Sequence, residues 1–385
     1  MIDRSQYDMG LPAEDLADYG PGGYHQVHLS DTLDDGKYRI LDKLGFGSFA
    51  IVWLARDEDR RAVAEQSHEH NHELEILQAI KQNGDPAHPG HKHVSHLLNS
   101  FYHEGPNGRH LCIVLEFLGP QISSVAETRP NYRLEGPLAR RISSQLLFAV
   151  DYIRACGVAH GDIYMGNVLF RLSTLNETLT IDDPRVGKVS KKDGSPNEKG
   201  FPDYLVMPAD YGYGKGELLD EVQLVDFGES FFVSNPPMSI NTHMSFHPPE
   251  VVFRHPLSEA TYELVTGRTP LEAFMNDHEL IPQMQKVLGG VPEQWIQEGL
   301  ETGVLTKISE ESAAKDFLPF EERIQEAYAN GYEEETLDLN AKDIATLGSY
   351  IRRMCVIELV KRATLAELMS HPWVVEAGER FRDDE

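Results

Sequence analysis

Hydrophobic residues recur along the chain with two spacings, which predict strands in some stretches and helices in others. Residues 38–56 (YRILDKLGFGSFAIVWLAR) alternate in strand fashion, and glycines at 45–47 predict the turn of a β-hairpin. Residues 71–82 (NHELEILQAIKQ) have helical spacing, whereas the apolar run at 110–118 predicts a buried strand. The first part of the chain is therefore predicted to combine strands with one helix.

The later part of the chain is predicted to be mainly helical. Residues 136–156 form an amphipathic pattern that predicts a helix, and Gly157 is a helix stop. LVDFGE at 224–229 predicts a strand that ends in an Asp-Phe-Gly turn. From residue 258 onward the pattern is mostly helical and closes with ATLAELMSHPWV at 363–374.

In two polar stretches the hydrophobic residues recur with neither the strand nor the helix spacing. Residues 1–36 contain a Gly/Pro cluster and predict an extension with little regular structure. Residues 171–220 are polar and turn-rich, which predicts an inserted or mobile segment.

Composition narrows the class of protein. The formal charge is −27, from 35 Lys plus Arg against 62 Asp plus Glu, so we expect no direct binding to nucleic acid or to an anionic membrane. Such a surface would attract basic proteins, although solubility is the simpler explanation of the charge taken alone. Three scattered cysteines predict no disulfide framework, and no apolar run approaches the ~18 residues of a membrane span. We expect a soluble protein of the cytoplasm, the nucleus or both.

An Asp and an Asn stand five residues apart in HGDIYMGN at 160–167, directly before an apolar run. This is the catalytic-loop pattern of phosphotransferases, in which the Asp accepts the proton of the substrate hydroxyl and the Asn helps to hold Mg²⁺. The candidate catalytic residues are therefore Asp162 and Asn167, and Asn167 is also a candidate metal ligand. The alternative is an ordinary Asx-rich turn between a helix and a strand.

Three further elements lie in the order that phosphotransfer requires. The glycine-rich stretch at 45–52 (GFGSFAIV) would let backbone N–H groups approach the phosphates of ATP. Glu73 in the predicted helix is placed to pair with a lysine of a strand, and Asp226 of the Asp-Phe-Gly turn would bind Mg²⁺. Each element alone has an ordinary structural explanation, but their common order favours a phosphotransfer site.

Over residues 38–377 the chain resembles a eukaryotic-type protein kinase, and in particular the SR-protein-specific kinase (SRPK) family of the fungal type. Three stretches carry the closer resemblance: EDLADYGPGGYH at 14–25, DKLGFGSFAIVWLARD at 42–57 and the hinge-like VLEFLG at 114–119. His247-Pro248-Pro249-Glu250 stands where kinases carry Ala-Pro-Glu, and Arg362 matches the arginine that pairs with that glutamate.

The resemblance implies an α+β, two-lobed protein-kinase fold with a β-rich N-lobe, a helical C-lobe and ATP in the cleft. The implied domains are an N-terminal extension at 1–36, an N-lobe at 37–118, a C-lobe at 119–377 with a spacer insert at 171–220, and a tail at 378–385.

The resemblance also implies the ligands and their residues. The substrate would be serine in basic Arg/Ser-rich proteins, as in mRNA processing, with ATP and Mg²⁺ required. Mg²⁺ would be held by Asn167 and Asp226. The residues implied in ATP binding are Leu44, Gly45, Gly47, Phe49, Val52, Glu73, Glu116 and Leu118.

The chain departs from the kinase pattern in three places. Gln66 stands where kinases carry the lysine of Val-Ala-Ile-Lys, and loss of such a contact costs on the order of 10²–10³ in rate. Tyr164 replaces the lysine that follows the base, and Gly161 replaces the arginine before it. After Glu250 the Asp-x-Trp-Ser block is missing. Two compact losses, one near Gln66 and one after Glu250, are typical of missing coding segments.

Three functions fit these features. The first is a serine/threonine protein kinase of the SRPK type, with activity reduced by the departures. The second is a pseudokinase that binds nucleotide or a basic partner without phosphotransfer, which Gln66 and Tyr164 favour. The third is a small-molecule phosphotransferase of the aminoglycoside or choline kinase type, which Gly161 fits but the glycine-rich loop does not.

Overall fold

The computed structural model of the chain has two units, each assembled from separate stretches of sequence. The first unit comprises Met1–Gln82, Ser95–Gly119 and Arg171–Leu219; the second comprises Asn83–Val94, Pro120–Phe170 and Asp220–Glu385. The structure describes residues 6–237, except 12, 48–49, 58–59, 67–71, 130–131, 173–179, 182, 210 and 213–219, and then residues 297, 301, 320–329, 338–356 and 361–379.

The first unit is built on a six-stranded antiparallel sheet, in which the strands lie in the order Thr32–Leu33, Tyr38–Phe46, Ala50–Arg56, Arg60–Gln66, Gly108–Glu116 and Asn99–Gly105. Its helix is α1 (His72–Asn83), as the helical spacing at 71–82 predicted. The strands of this unit are β1 (Tyr7–Asp8), β2 (Thr32–Leu33), β3 (Tyr38–Phe46), β4 (Ala50–Arg56), β5 (Arg60–Gln66), β6 (Asn99–Gly105), β7 (Gly108–Glu116), β10 (Thr180–Ile181), β11 (Val186–Lys188), β12 (Ser190–Lys191), β13 (Tyr204–Val206) and β14 (Tyr211–Gly212).

The predicted hairpin over 38–56 is confirmed as β3 and β4, but its turn is displaced. A register shift between Lys43 and Gly45 lets the ladder continue, so that Gly45 pairs with Val52 inside the hairpin. The N–H of Gly47 then bonds the carbonyl of Ala50 at 2.8 Å. The turn therefore starts at Gly47 rather than at residue 45.

The shortened third strand is present. All seven residues of β5 pair with β4, and six of them pair with β7. Gln66, at the end of β5, lies opposite Ala50 on one side and Leu111 on the other. The departure from the kinase pattern near Gln66 therefore leaves β5 paired on both sides within the sheet.

The N-terminal extension is packed more closely than its polar sequence predicted. Leu16, Tyr19, Tyr24 and Val27 are buried in the same apolar cluster as Trp53 of β4. The extension has only short strands, as its polar sequence predicted, and these four apolar side chains all pack into one core.

The described part of the segment 171–220 also belongs to this core. β11 pairs with β13, β10 with β14, and β12 with β1 of the extension. Val189, Phe201 and Leu205 are buried in the cluster that holds Trp53. The prediction of a loose insert in the C-lobe is corrected for these residues, which pack within the first unit.

The second unit is mainly helical. Its strands are β8 (Val158–Ala159), β9 (Val168–Phe170), β15 (Val222–Leu224) and β16 (Phe231–Phe232). Its helices are α2 (Ile122–Glu127), α3 (Gly136–Ala155), α4 (Phe320–Ala329), α5 (Ala341–Met354), α6 (Leu365–Met369) and α7 (Pro372–Glu379). Within the described ranges, no helix has both the length and the apolar character needed to cross a membrane.

Helix α3 confirms the prediction over 136–156, and it ends where Gly157 takes a φ of 79°. The buried Arg140 on α3 donates to the backbone carbonyls of Trp373 and Pro372, each at 2.7 Å, and so joins the start of α7 to α3. The indole N–H of Trp373 in turn donates to Ser143 at 3.1 Å. These contacts give the closing His-Pro-Trp sequence its structural role.

Several predictions fall outside the described residues. These include His247-Pro248-Pro249-Glu250 and nearly all of the helical pattern from 258 to 319. The strand predicted at 224–229 is displaced, because β15 ends at Leu224 before the Asp-Phe-Gly turn. Helix α7 continues to Glu379, two residues into the predicted tail.

Candidate active site

The catalytic loop and the Asp-Phe-Gly turn leave neighbouring strands of the second unit. β9 pairs with β15 so that Val168 lies opposite Leu224. The N–H of Val225 also donates to the carbonyl of Asn167 at 2.9 Å. The loop at 160–167 and the turn at 226–228 are therefore held side by side by backbone pairing.

Asp162 and Asn167 form a hydrogen-bonded pair. The Asn167 amide donates from Nδ2 to the Asp162 carboxylate at 3.0 Å and to the Asp162 carbonyl at 2.9 Å. A carbonyl only accepts, so these two bonds fix the amide orientation with Nδ2 facing Asp162. The side-chain oxygen Oδ1 of Asn167 is then the atom that could meet a cation.

Asp226 has an unusual backbone. It is exposed and has a φ of 63°, a left-handed conformation that few residues other than glycine adopt. Its carboxylate accepts from the N–H of Gly228 at 3.2 Å. A non-glycine residue in this conformation is typical of functional sites, where the surrounding structure holds the strained backbone in place.

His160 ties the loop to the turn. This buried ring lies within hydrogen-bond distance of the Val225 carbonyl, at 3.0 Å, and its Nδ1 accepts from the N–H of Asp162 at 3.3 Å. Nε2 must therefore carry the proton that meets Val225. Burial lowers the pKa of His160 to about 4, so that it is neutral near pH 7. The motif alone assigned no role to His160, although the place of this residue at the start of the motif was a usable signal.

Gly161 has a structural reason to be glycine. Its φ is 84°, and an added Cβ would lie 2.3 Å from the carbonyl oxygen of Glu229. The residue that replaces the arginine of the kinase pattern is therefore required by the backbone of this loop and by its close approach to Glu229.

Tyr164 brings a phenol to the place where the kinase pattern has a lysine. Burial raises the pKa of Tyr164, and the charges of Asp162 and Asp226 raise it further. Its ring lies on Gly166, since a Cβ there would be 2.3 Å from Cε2 of Tyr164. A neutral hydroxyl group thus stands near both carboxylates.

The glycine-rich loop in the first unit leaves room for a ligand. Gly45 and Gly47 have no positive φ, and among the residues that the structure describes a Cβ added to either would meet no atom within 4 Å. Neither backbone conformation nor packing against the described residues therefore requires glycine here. An approaching phosphate group would require it, so these residues fit the predicted role.

The other predicted ATP contacts also lie in the first unit. Leu44 packs in a small apolar cluster with Leu54 and Phe117, and Val52 is half-buried in β4. Glu116 ends β7 and Leu118 follows it as a buried residue. Phe49 lies outside the described residues.

Glu73 is half-buried in the first turn of α1. Lys43, which precedes the glycine-rich loop, does not replace the lysine absent at Gln66. Its side chain is buried and donates to Glu14 and to the carbonyl of Val206. The ATP and metal roles of all these residues remain predictions.

Among the residues that the structure describes, no three or more His, Cys, Asp and Glu side chains are arranged to hold a metal ion. Mg²⁺ is usually bound by one or two carboxylates together with substrate phosphates, and the side chains of Asn167 and Asp226 offer oxygen atoms of the kind that such a cation needs.

Comparison with solved structures shows the protein-kinase fold. A crystal structure of a kinase domain superposes with a TM-score of 0.62, covering 91% of this chain and 98% of that chain at 16% identity. This confirms the predicted α+β kinase fold. Comparison with models of protein families finds no match.

The curated relatives are kinases of the SRPK family, as the motifs predicted. Protein kinase dsk1 of Schizosaccharomyces pombe is 40% identical over 166 residues, which are 40% of this chain and 30% of that protein. Serine/threonine-protein kinase SKY1 of Saccharomyces cerevisiae is 33% identical over 41% of this chain and 23% of its own length. SRSF protein kinase 3 of Homo sapiens is 34% identical over 40% and 29%. The chain thus spans less than a third of each of these relatives.

Proposed function

We propose that this protein is a serine/threonine protein kinase that uses ATP and Mg²⁺ to phosphorylate serine in Arg/Ser-rich proteins. The observation that carries the proposal is the Asp162–Asn167 pair beside the strained Asp226. These three side chains have the chemistry of a base and two metal ligands on adjoining backbone segments.

In this mechanism Asp162 orients the serine hydroxyl and accepts its proton. Asn167 keeps the Asp162 carboxylate in place by its amide bond, and His160 fixes the backbone of the loop against Val225. Because transfer relies mainly on positioning and electrostatics, these fixed contacts are the chain's main contribution.

Asn167 and Asp226 would hold Mg²⁺, and the backbone at 45–47 would cover the phosphates of ATP. When bound, Mg²⁺ neutralises charge on the phosphates during transfer. The exposed position of Asp226 and the open space at Gly45 and Gly47 support these roles.

The substrate class rests on charge and on the relatives. A chain with a formal charge of −27 favours a basic partner. One relative is named as an SRSF protein kinase, which supports an SR-protein substrate here as well. None of the three cysteines, all of which lie in the described part of the chain, forms a disulfide, and this fits a reducing compartment such as cytoplasm or nucleus.

A pseudokinase is the second candidate, because two cations of the kinase pattern are absent. Gln66 occupies the end of β5, and Tyr164 presents a neutral phenol near Asp162 and Asp226. Loss of one preorganised contact lowers rate by about 10²–10³, so activity well below that of a complete kinase is expected.

The test is transfer of labelled phosphate from ATP with Mg²⁺ to an Arg/Ser-repeat peptide. A peptide of equal length with glutamine in place of every arginine is the control for charge recognition, and choline and an aminoglycoside are the small-molecule acceptors. Transfer that requires both Mg²⁺ and arginine would support the proposal.

Other outcomes would contradict the proposal in different ways. Folded protein that gains thermal stability from MgATP but transfers no phosphate would identify a pseudokinase. Transfer to choline or to the aminoglycoside alone would assign a small-molecule phosphotransferase. Equal transfer to both peptides would show that the protein is a kinase but does not recognise arginine, and would exclude Arg/Ser-rich proteins as its specific substrates.

A further inference from the structure

The N-terminal extension makes a side-chain hydrogen bond to the glycine-rich loop. The hydroxyl of Tyr24 donates to the backbone carbonyl of Gly47, and the Tyr24 side chain is 5% exposed. Gly47 has no side chain of its own to fix its position. Its N–H is already paired with the Ala50 carbonyl at 2.8 Å, so the phenol holds the remaining backbone group of this residue.

Tyr24 is itself held firmly. Its N–H donates to the Asp18 carbonyl at 2.7 Å, and its carbonyl accepts from the Asn107 amide at 2.7 Å. The same buried Asn107 amide donates to the Gly200 carbonyl at 2.8 Å. The ring of Tyr19 packs edge-on against Tyr24 with 5.6 Å between centroids. A side chain fixed by the extension and by the hairpin of β6 and β7 thus reaches the loop.

The hydroxyl of Tyr24 stays protonated near neutral pH, so it can always donate its hydrogen bond to Gly47. Burial raises its pKa above the ordinary value of 10, and the negative charges of Asp18 and Glu14 raise it further. The phenol therefore keeps its proton throughout the neutral range, and the bond to the Gly47 carbonyl is not interrupted by titration.

We propose that Tyr24 is a positioning residue that sets the backbone of the glycine-rich loop and thereby the affinity for nucleotide. This inference rests on the proposed function, in which the loop covers the phosphates of ATP. A loop whose carbonyl is fixed in advance loses less conformational entropy on binding, and its N–H groups are already oriented. Tyr24 therefore acts through Gly47 and need not touch the nucleotide.

The test compares Tyr24→Phe with Tyr38→Phe. Both changes remove one hydroxyl from a buried tyrosine of the first unit, but the Tyr38 hydroxyl accepts from Asn99 and lies at the opposite end of β3 from the loop. Hydrogen exchange without nucleotide measures the loop itself, and titration with a fluorescent ATP analogue and Mg²⁺ measures affinity. Steady-state kinetics then separate KM for ATP from kcat.

In Tyr24→Phe we expect faster exchange at Gly47 and Ala50 and about three- to tenfold weaker nucleotide binding, the range that one hydrogen bond supplies. KM for ATP should rise by the same factor with kcat within about twofold, because the chemical groups are intact. Tyr38→Phe should leave exchange at these positions and the affinity unchanged.

Unchanged exchange at Gly47 and Ala50 in Tyr24→Phe would overturn the proposal, and so would an equal effect of the two variants. Wild-type protein that binds no nucleotide would overturn the proposed function and the affinity part of this inference. The exchange comparison would then still decide whether Tyr24 fixes the loop.

Discussion

The ion pair between Glu14 and Lys43 gives the sharpest prediction about stability. Glu14 belongs to the N-terminal extension and Lys43 to β3, and their side chains are 1% and 0% exposed. The Glu14 carboxylate also accepts from the Tyr19 hydroxyl at 2.6 Å, and the Lys43 ammonium donates to the Val206 carbonyl at 2.9 Å. Glu14→Gln keeps the shape of the side chain and removes only its charge.

The expected cost follows from this burial. Removing one partner of a fully buried pair leaves an uncompensated charge, which typically costs about 3–5 kcal/mol. Burial already lowers the pKa of Lys43 while Glu14 opposes this shift, so the variant should lower it further. A folded state that binds fewer protons than the unfolded chain gains stability as pH rises. The deficit of Glu14→Gln should therefore shrink as pH rises toward the ordinary lysine pKa of 10.5.

Native-state hydrogen exchange of β3 and β4 is the suitable assay, because it measures opening of the first unit without assuming that both units unfold together. Glu14→Leu combined with Lys43→Met is the matched control, since it removes both charges. We expect this double variant to be more stable than Glu14→Gln by about 2 kcal/mol or more. A loss below about 1 kcal/mol in Glu14→Gln, or a double variant no more stable than Glu14→Gln, would show that the buried pair does not stabilise the first unit in this way.

Three further predictions concern the second unit. Gly161→Ala should destabilise it by about 1–3 kcal/mol, because residue 161 has a φ of 84° and the new Cβ would meet the Glu229 carbonyl; an unchanged urea midpoint would contradict this. Asn167→Ala should lower kcat on the order of 100-fold in the peptide assay, because Asp162 loses the amide that orients it, and an unaltered kcat would exclude this role. His160 has a pKa of about 4 when folded and an ordinary pKa near 6.5 when unfolded, so the unfolded chain binds more protons between these values. The free energy of unfolding should therefore fall as pH drops from about 6.5 to 4, and His160 should contribute about 1.4 kcal/mol of this loss per pH unit. A free energy of unfolding that does not change over this range would contradict the prediction.

Elements with strong local periodicity could be predicted from the sequence. The alternation at 38–56 became β3 and β4, and α3 was predicted to within one residue because Gly157 ends it with a positive φ. Neighbouring residues encode both elements: alternating apolar residues mark the buried face of the hairpin, and Gly157 marks the end of the helix. The displaced turn at Gly47 depended on a register shift at Lys43, which no local pattern announces.

The packing of the extension against the segment 171–220 could not be predicted. The Gln26 amide donates a hydrogen bond to the Phe201 carbonyl, and the Tyr204 hydroxyl accepts one from the N–H of Leu29. The two residues of each pair are 175 positions apart in the sequence. Strands of two or three residues bury too few side chains to leave a period in the sequence. The polar composition of both segments therefore indicated loops, although their scattered apolar residues share one core.

The catalytic loop was predictable in its residue types but not in its contacts. The motif identified Asp162, Asn167 and Asp226, because proton transfer and Mg²⁺ binding need those side chains. Its spacing did not reveal that Tyr164 would lie on Gly166 near the two carboxylates. Such contacts depend on rotamers and on backbone dihedrals that long-range packing selects.

The most direct test of the central claim is to compare phosphate transfer and MgATP affinity in wild-type protein and Asp162→Asn. Asp151→Asn on α3 is the matched control, because within the described part of the chain the same chemical change there affects the ion pairs with His88 and Arg154 and no residue of the catalytic loop. We expect transfer to the Arg/Ser peptide to be lost in Asp162→Asn and kept in Asp151→Asn. All three proteins should bind MgATP with similar affinity. Transfer that survives in Asp162→Asn, or that is absent from folded wild-type protein, would contradict the central claim.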